Sequence, residues 1–185
     1  MRLLLCAAAL VAVFFIVGSV SAQTSAYMDF DPEKCPAISP EKDDGLYFCG
    51  TRDDFGFGFD YGHVRDGPLI THGDWRKSFY RETVDHARAL DGEIIAFPGL
   101  RKGKVEWRLD KNRQPFALIV RIYGSGVETY RELSSLIVLS LDADPTKTCF
   151  LGFEGTNKGA RQLADTALSK EITCDAAIYQ PYTGD

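Results

Sequence analysis

The sequence has no Asn-x-Ser/Thr sequon, and so no acceptor for N-glycosylation. It has no basic stripe, and its formal net charge is −5. A mildly acidic chain of this kind argues against nucleic acid and against electrostatic docking on anionic lipid. Histidine is scarce: His63, His72 and His86 are the only ones, and their spacing matches no common zinc pattern. Gly124-Ser125-Gly126 is too short for a nucleophile elbow, which needs Gly-x-Ser-x-Gly at a strand-to-helix turn. Asp142 and Asp144 start like a calcium loop but lack the later glycine and the distal glutamate. There is no internal repeat and no second domain boundary. These absences imply no cofactor, and no segment specifies a reaction.

What is present points first to a compartment. Met1-Arg2 is followed by an uncharged run from Leu3 to Ala22 that ends in Val20-Ser21-Ala22. One basic residue, an apolar segment and a small-residue exit together make a secretory signal peptide over residues 1–22, cleaved after Ala22. The competing reading is an uncleaved membrane anchor, since the run is nearly long enough to span a bilayer. With cleavage, no stable membrane insertion is expected and Arg2 is lost, making the chain one charge more acidic. Cys6 lies too early in the apolar segment for a lipoprotein signal.

Beyond the leader lie four cysteines, Cys35, Cys49, Cys149 and Cys174. An even count in an exported chain reads as two disulfides. Of the three possible pairings the local one is favoured, Cys35–Cys49 and Cys149–Cys174, because each pair brackets a turn unit. Each bridge is expected to contribute roughly 3 kcal/mol by restricting the unfolded chain. At this length one domain buries about 70% of its unfolded surface and builds its own core.

Residues 23–45 are polar, acidic and punctuated by Pro32, Pro36 and Pro40, which reads as an extended N-terminal arm tied down at Cys35. Residues 46–185 then form a single domain. Leu46–Cys49 is a short strand. Phe55-Gly56-Phe57-Gly58-Phe59-Asp60-Tyr61-Gly62 is the most unusual pattern in the chain. Strand alternation puts the aromatics on one face and mostly glycine on the other, so something approaches the bare face closely. That neighbour is either another part of the same protein or a flat ligand, such as a sugar ring or a peptide strand. Trp75–Leu90 is read as helix, on the stripe Phe79, Val84, Ala87 and Leu90, although Ser78–Val84 is also compatible with a strand. Glu93–Phe97 and Val105–Leu109 are strands around a turn whose tip is basic, Arg101-Lys102-Gly103-Lys104.

Phe116–Ile122 and Leu136–Leu141 are apolar on nearly all positions, so two adjacent strands need cover on both sides. Short connections make them antiparallel neighbours. Cover on one side is expected from Ala160–Lys170, where Leu163, Ala164, Ala167 and Leu168 form an apolar stripe. Thr156 or Asn157 can cap its start, Lys170 suits its end, and Arg161 with Asp165 reads as an exposed i, i+4 pair. Ile172–Ile178 is a possible edge strand.

Several of these stretches carry a resemblance. Trp107-Arg108-Leu109-Asp110, Pro115-Phe116-Ala117-Leu118-Ile119-Val120-Arg121, and Cys149 with Ala160–Ala167 and Cys174 resemble a group of small secreted proteins of Gram-negative bacteria. The likeness covers roughly the second half of the chain. It implies a compartment and a fold, and no activity.

The expected fold is α+β: an antiparallel β-meander of five to seven strands, curved or barrel-like, with a C-terminal helix packed on one face and two disulfides. The expected function is that of a periplasmic or secreted non-catalytic binding or accessory protein of the cell envelope, with an inhibitor-like protein as one form of it. Its partner would be a protein or a glycan, met by Phe57, Phe59 and Tyr61 or by Arg101, Lys102 and Lys104. Trp75, Trp107 and Tyr61 are a weaker sugar-stacking set, since Trp107 falls on an inward face. One rival is a hydrolase using carboxylates with His63 or His72 on the 62–74 loop; another is a purely structural envelope protein.

Overall fold

The computed structural model describes residues 23–40, 44–89, 91–169 and 174. The expected signal peptide, the Lys170 helix end and, Cys174 apart, the Ile172–Ile178 strand lie outside the described residues. The described chain runs β1 (Thr24–Phe30), a 3-10 turn (Pro32–Lys34), β2 (Ala37–Pro40), β3 (Asp44–Arg52), β4 (Phe55–Gly62), β5 (Arg65–His72), β6 (Trp75–Ser78) and α1 (Tyr80–His86). It continues through β7 (Ile95–Leu109), β8 (Pro115–Gly126), β9 (Glu132–Ser140), β10 (Phe150–Glu154) and α2 (Asn157–Ser169).

Two five-stranded antiparallel sheets result, in the orders β2-β3-β4-β5-β6 and β1-β7-β8-β9-β10. Each is a meander of sequence neighbours, except that β1 is added beside β7. The α+β class, the curved antiparallel architecture and the C-terminal helix are as expected; the strand count is higher. Part of the difference lies in the N-terminal arm. Its residues 24–30 pair with β7 from Thr24↔Leu109 to Phe30↔Gly103. Tyr27 and Asp29 are exposed while Ala26, Met28 and Phe30 pack on the core, so a strand period is present there after all.

Both sheets close on one core. Phe57, Phe59, Ile70 and Phe79 on one side meet Val105, Trp107, Leu118, Val120, Ile137 and Leu139 on the other. The opposite face of the second sheet carries Ala117, Ile119, Leu136 and Val138, and α2 covers it with Ala160, Ala164 and Leu163. Three layers thus satisfy the two apolar faces of β8 and β9. Thr156 caps α2, accepting from the Gly159 N–H at 3.0 Å. Arg161 and Asp165 do not pair with each other. Arg161 binds Glu106 (2.7 Å) and Asp165 binds Arg108 in a bidentate pair (2.6 and 2.9 Å), because β7 presents opposite charges directly beneath the helix. Both expected disulfides are formed: Cys35–Cys49 with Cα atoms 4.6 Å apart, and Cys149–Cys174 at 5.4 Å.

Two local readings need correction. Helix does not run from Trp75. Trp75–Ser78 pairs with β5 through a two-residue turn at Gly73-Asp74, and helix covers only Tyr80–His86. Nor do residues 98–104 form a hairpin tip. β7 is one strand throughout, but its register with β8 breaks between Ala96 and Gly99 and between Leu100 and Val105. These bulges bend β7, and from Gly103, within the second, it takes β1 as its partner on the other side.

Candidate functional site

The residues singled out in the sequence separate in space. Phe57 is fully buried and Phe59 nearly so, with Phe59 stacked on Tyr47 (ring centroids 4.7 Å) and Phe57 edge-on to Phe30 (5.2 Å). Both therefore belong to the core and cannot serve as a partner surface. Tyr61 is half-buried and packs against the same core. The bare glycine face is filled by the protein itself: a Cβ on Gly58 would lie 1.9 Å from the Tyr47 carbonyl oxygen. The close approach inferred from glycine is that of strand β3.

The basic residues divide between two sides of β7. Lys102 and Lys104 face Asp31 (3.6 Å) and Asp29 (2.8 Å), along an open groove of about 490 Å³ beside the Cys35–Cys49 bridge. Arg101 turns the other way, bonds Glu132 at 2.9 Å and lies over the Tyr123 ring at 4.9 Å. Each of the three cations thus faces a carboxylate, and they form no common patch.

His63 and His72 sit at opposite ends of β5, about 25 Å apart by strand rise. His63 is an exposed turn residue, while His72 stacks between Phe55 (4.6 Å) and Trp75 (5.7 Å). The convergence that a hydrolase on this loop needs is not met. Among the described residues no group of three or more His, Cys, Asp or Glu is placed to hold a metal. Asp142 and Asp144 accept backbone N–H groups within their own loop, at 2.9 Å each. Trp107 is in the core, and the Trp75 indole donates to the Ala143 carbonyl (2.9 Å), so these two do not share a sugar-facing surface with Tyr61.

A different place gathers exposed aromatic surface. The first half of β7, the last residues of β8, the turn 127–131 and Glu132 enclose an open cleft of about 390 Å³. Phe97 and Tyr130 form its rims, at 58% and 85% exposure. Tyr123, Gly124 and Ser125 make the floor, and Arg101 with Glu132 closes one side. Phe97 and Tyr130 have φ of +50° and +55°, a left-handed conformation that costs an L residue with a bulky side chain about 1–3 kcal/mol.

Each rim is held from behind by a carboxylate. Asp66, at the start of β5, accepts from the Leu100 N–H at 2.9 Å and so fixes the bulge that carries Phe97. Burial raises the Asp66 pKa, and the Leu100 bond opposes that shift in part. Arg65, one residue earlier, lays its guanidinium over Phe97 at 5.2 Å. The Glu93 carboxylate accepts from the N–H of Glu128 (3.1 Å), the N–H of Thr129 (2.8 Å) and the Thr129 hydroxyl (2.9 Å). The Thr129 backbone bond is the main reason its pKa is lowered. Gly126 gives Glu93 its room, since a Cβ there would lie 2.2 Å from Oε1. The turn is closed by Tyr130 N–H donating to the Gly126 carbonyl at 3.0 Å.

Of the residues expected from sequence, only Arg101 belongs to this cleft. Phe97, Tyr123, Tyr130 and Glu132 carried no motif. Pro98-Gly99 and the glycines around Ser125 marked breaks in regular strand, but the side of the chain that an aromatic takes at a bulge has no local signal. Comparisons with protein-family models, with curated proteins and with solved structures find no match for this chain.

Proposed function

We propose that this is a non-catalytic binding protein of an oxidising compartment, periplasmic or secreted, which engages its ligand at the Phe97–Tyr130 cleft. The observation that carries the reading is the pair of exposed aromatic rings held in unfavourable backbone conformations on the two rims. Burial contributes little at these positions, so their side chains and their strain do not serve the core. Two disulfides support the compartment, since such bridges persist where thiols are not kept reduced. A concave surface with aromatic walls and a few convergent polar groups is the usual form of a small-ligand site. Among the described residues the lining holds a single carboxylate, Glu132, already paired with Arg101, and this favours binding over hydrolysis by a carboxylate pair.

The test is affinity capture from an envelope extract with the natural protein and with a Phe97→Ala/Tyr130→Ala variant. Material retained by the first and lost by the second supports the reading. Identical retention by both removes the cleft from consideration and leaves a structural envelope role as the better description.

A further inference from the structure

Resting on the reading of the cleft as a binding site, we propose that its ligand is a neutral saccharide, with pyranose rings stacked on Tyr130 and Phe97. Four observations lead there. The rims are exposed aromatic residues, Phe97 with Arg65 over one face of its ring, and an exposed ring suits the flat apolar face of a sugar. The surface between them is polar, with Ser125 exposed on the floor and the Arg101–Glu132 pair at 2.9 Å on one side supplying adjacent donors and acceptors for vicinal hydroxyls. Arg101 is balanced by Glu132, so among the described residues of the lining no unmatched charge selects an anion. The floor strand has no free edge: Ser125 pairs with Ala96 on one side and with Glu132 on the other, which leaves no place for a peptide to add as a strand.

Geometry assigns the roles. Tyr130 is the more exposed platform and Phe97 the second, kept in place by Arg65 on one side of its ring. Glu132 and Arg101 orient the hydroxyls, and Ser125 reaches whatever lies between the rings.

The experiment is a 1H–15N NMR titration of the purified protein with maltotetraose, cellotetraose and chitotetraose, each to ~10 mM, enough to load a site with a Kd near 1 mM. Decaproline serves as a peptide probe, since extended proline segments dock in aromatic grooves. At least one saccharide is expected to shift the amides of Gly99, Gly124 and Ser125, equally at low and high NaCl. Phe97→Ala and Tyr130→Ala should each weaken that binding by roughly 10-fold. Phe97→Gly gives a second variant that keeps the φ of +50° without strain. If decaproline shifts these amides and no saccharide does, the saccharide assignment is wrong and the binding cleft stands. If none of the four probes shifts them, both are wrong.

Discussion

Strand β4 and the Phe97–Tyr130 cleft both concentrate aromatic residues, and they use them in opposite ways. β4 carries Phe55, Phe57 and Phe59 in strict alternation, and all three end between the sheets. The cleft takes one aromatic from a bulge and one from a turn, and both remain in solvent. Density of aromatics in the sequence therefore tracks the core here. Departure from regular backbone tracks the surface that could be used. A regular strand hands every second side chain to the core, whereas a bulge or a left-handed residue re-aims one side chain outward.

The contrast can be broken most forcefully in β4. Phe57→Ala is expected to cost about 3–5 kcal/mol, the usual loss for a buried phenylalanine, and chemical denaturation measures it. A loss under about 1 kcal/mol would mean that the two sheets do not share this core. Gly58→Ala comes next, at about 1–3 kcal/mol, because its Cβ meets the Tyr47 carbonyl, a backbone atom that moves only with strand β3. Normal stability in that variant would refute the close β3–β4 approach.

In the cleft the expected effects are smaller and more local. Glu93→Ala should leave the global unfolding midpoint nearly unchanged while hydrogen exchange quickens at Glu128 and Thr129. The same bonds make a pH prediction. The pKa of Glu93 is lowered by folding, so its support is complete above the unfolded glutamate range and is lost as pH falls through the lower folded value. The 127–130 turn should accordingly loosen only in acid, below the ordinary glutamate range. Asp66 has the opposite sign. Its pKa is raised by burial, so its carboxylate carries a penalty at neutral pH that protonation relieves as pH falls through the raised value. Asp66→Asn, which can still accept from Leu100, should match or slightly exceed the natural protein at neutral pH, and the difference should shrink in acid. A variant less stable at every pH would show that the charge itself holds the bulge.

Much of the fold was legible because period and composition act locally. The double apolar faces of Phe116–Ile122 and Leu136–Leu141 demanded cover on both sides, and α2 supplies one of the covers. The even cysteine count and their spacing led to the observed bridges. The N-terminal strand was obscured by the prolines and acids around it, although Ala26, Met28 and Phe30 alternate correctly. Trp75–Ser78 was a strand within a mixed pattern, decided by pairing with β5 that no local window contains. Arg161 and Asp165 have ideal helical spacing for each other, yet the charged residues of β7, more than 50 positions away, win both. The cleft was legible only at Arg101. Its walls come from β7, β8 and the turn 127–131, and what joins them is a register break that depends on strands far apart in the chain.

The most direct measurement is a pair of denaturation curves, for Phe97→Gly and Tyr130→Gly, against the natural protein. Glycine removes each exposed ring and also relieves the left-handed backbone. If the rings are kept for a ligand, both variants will be as stable as the natural protein or more stable by up to ~1 kcal/mol. A loss of ~2 kcal/mol or more in either would show that the ring holds the fold together, and would contradict its assignment to a binding site.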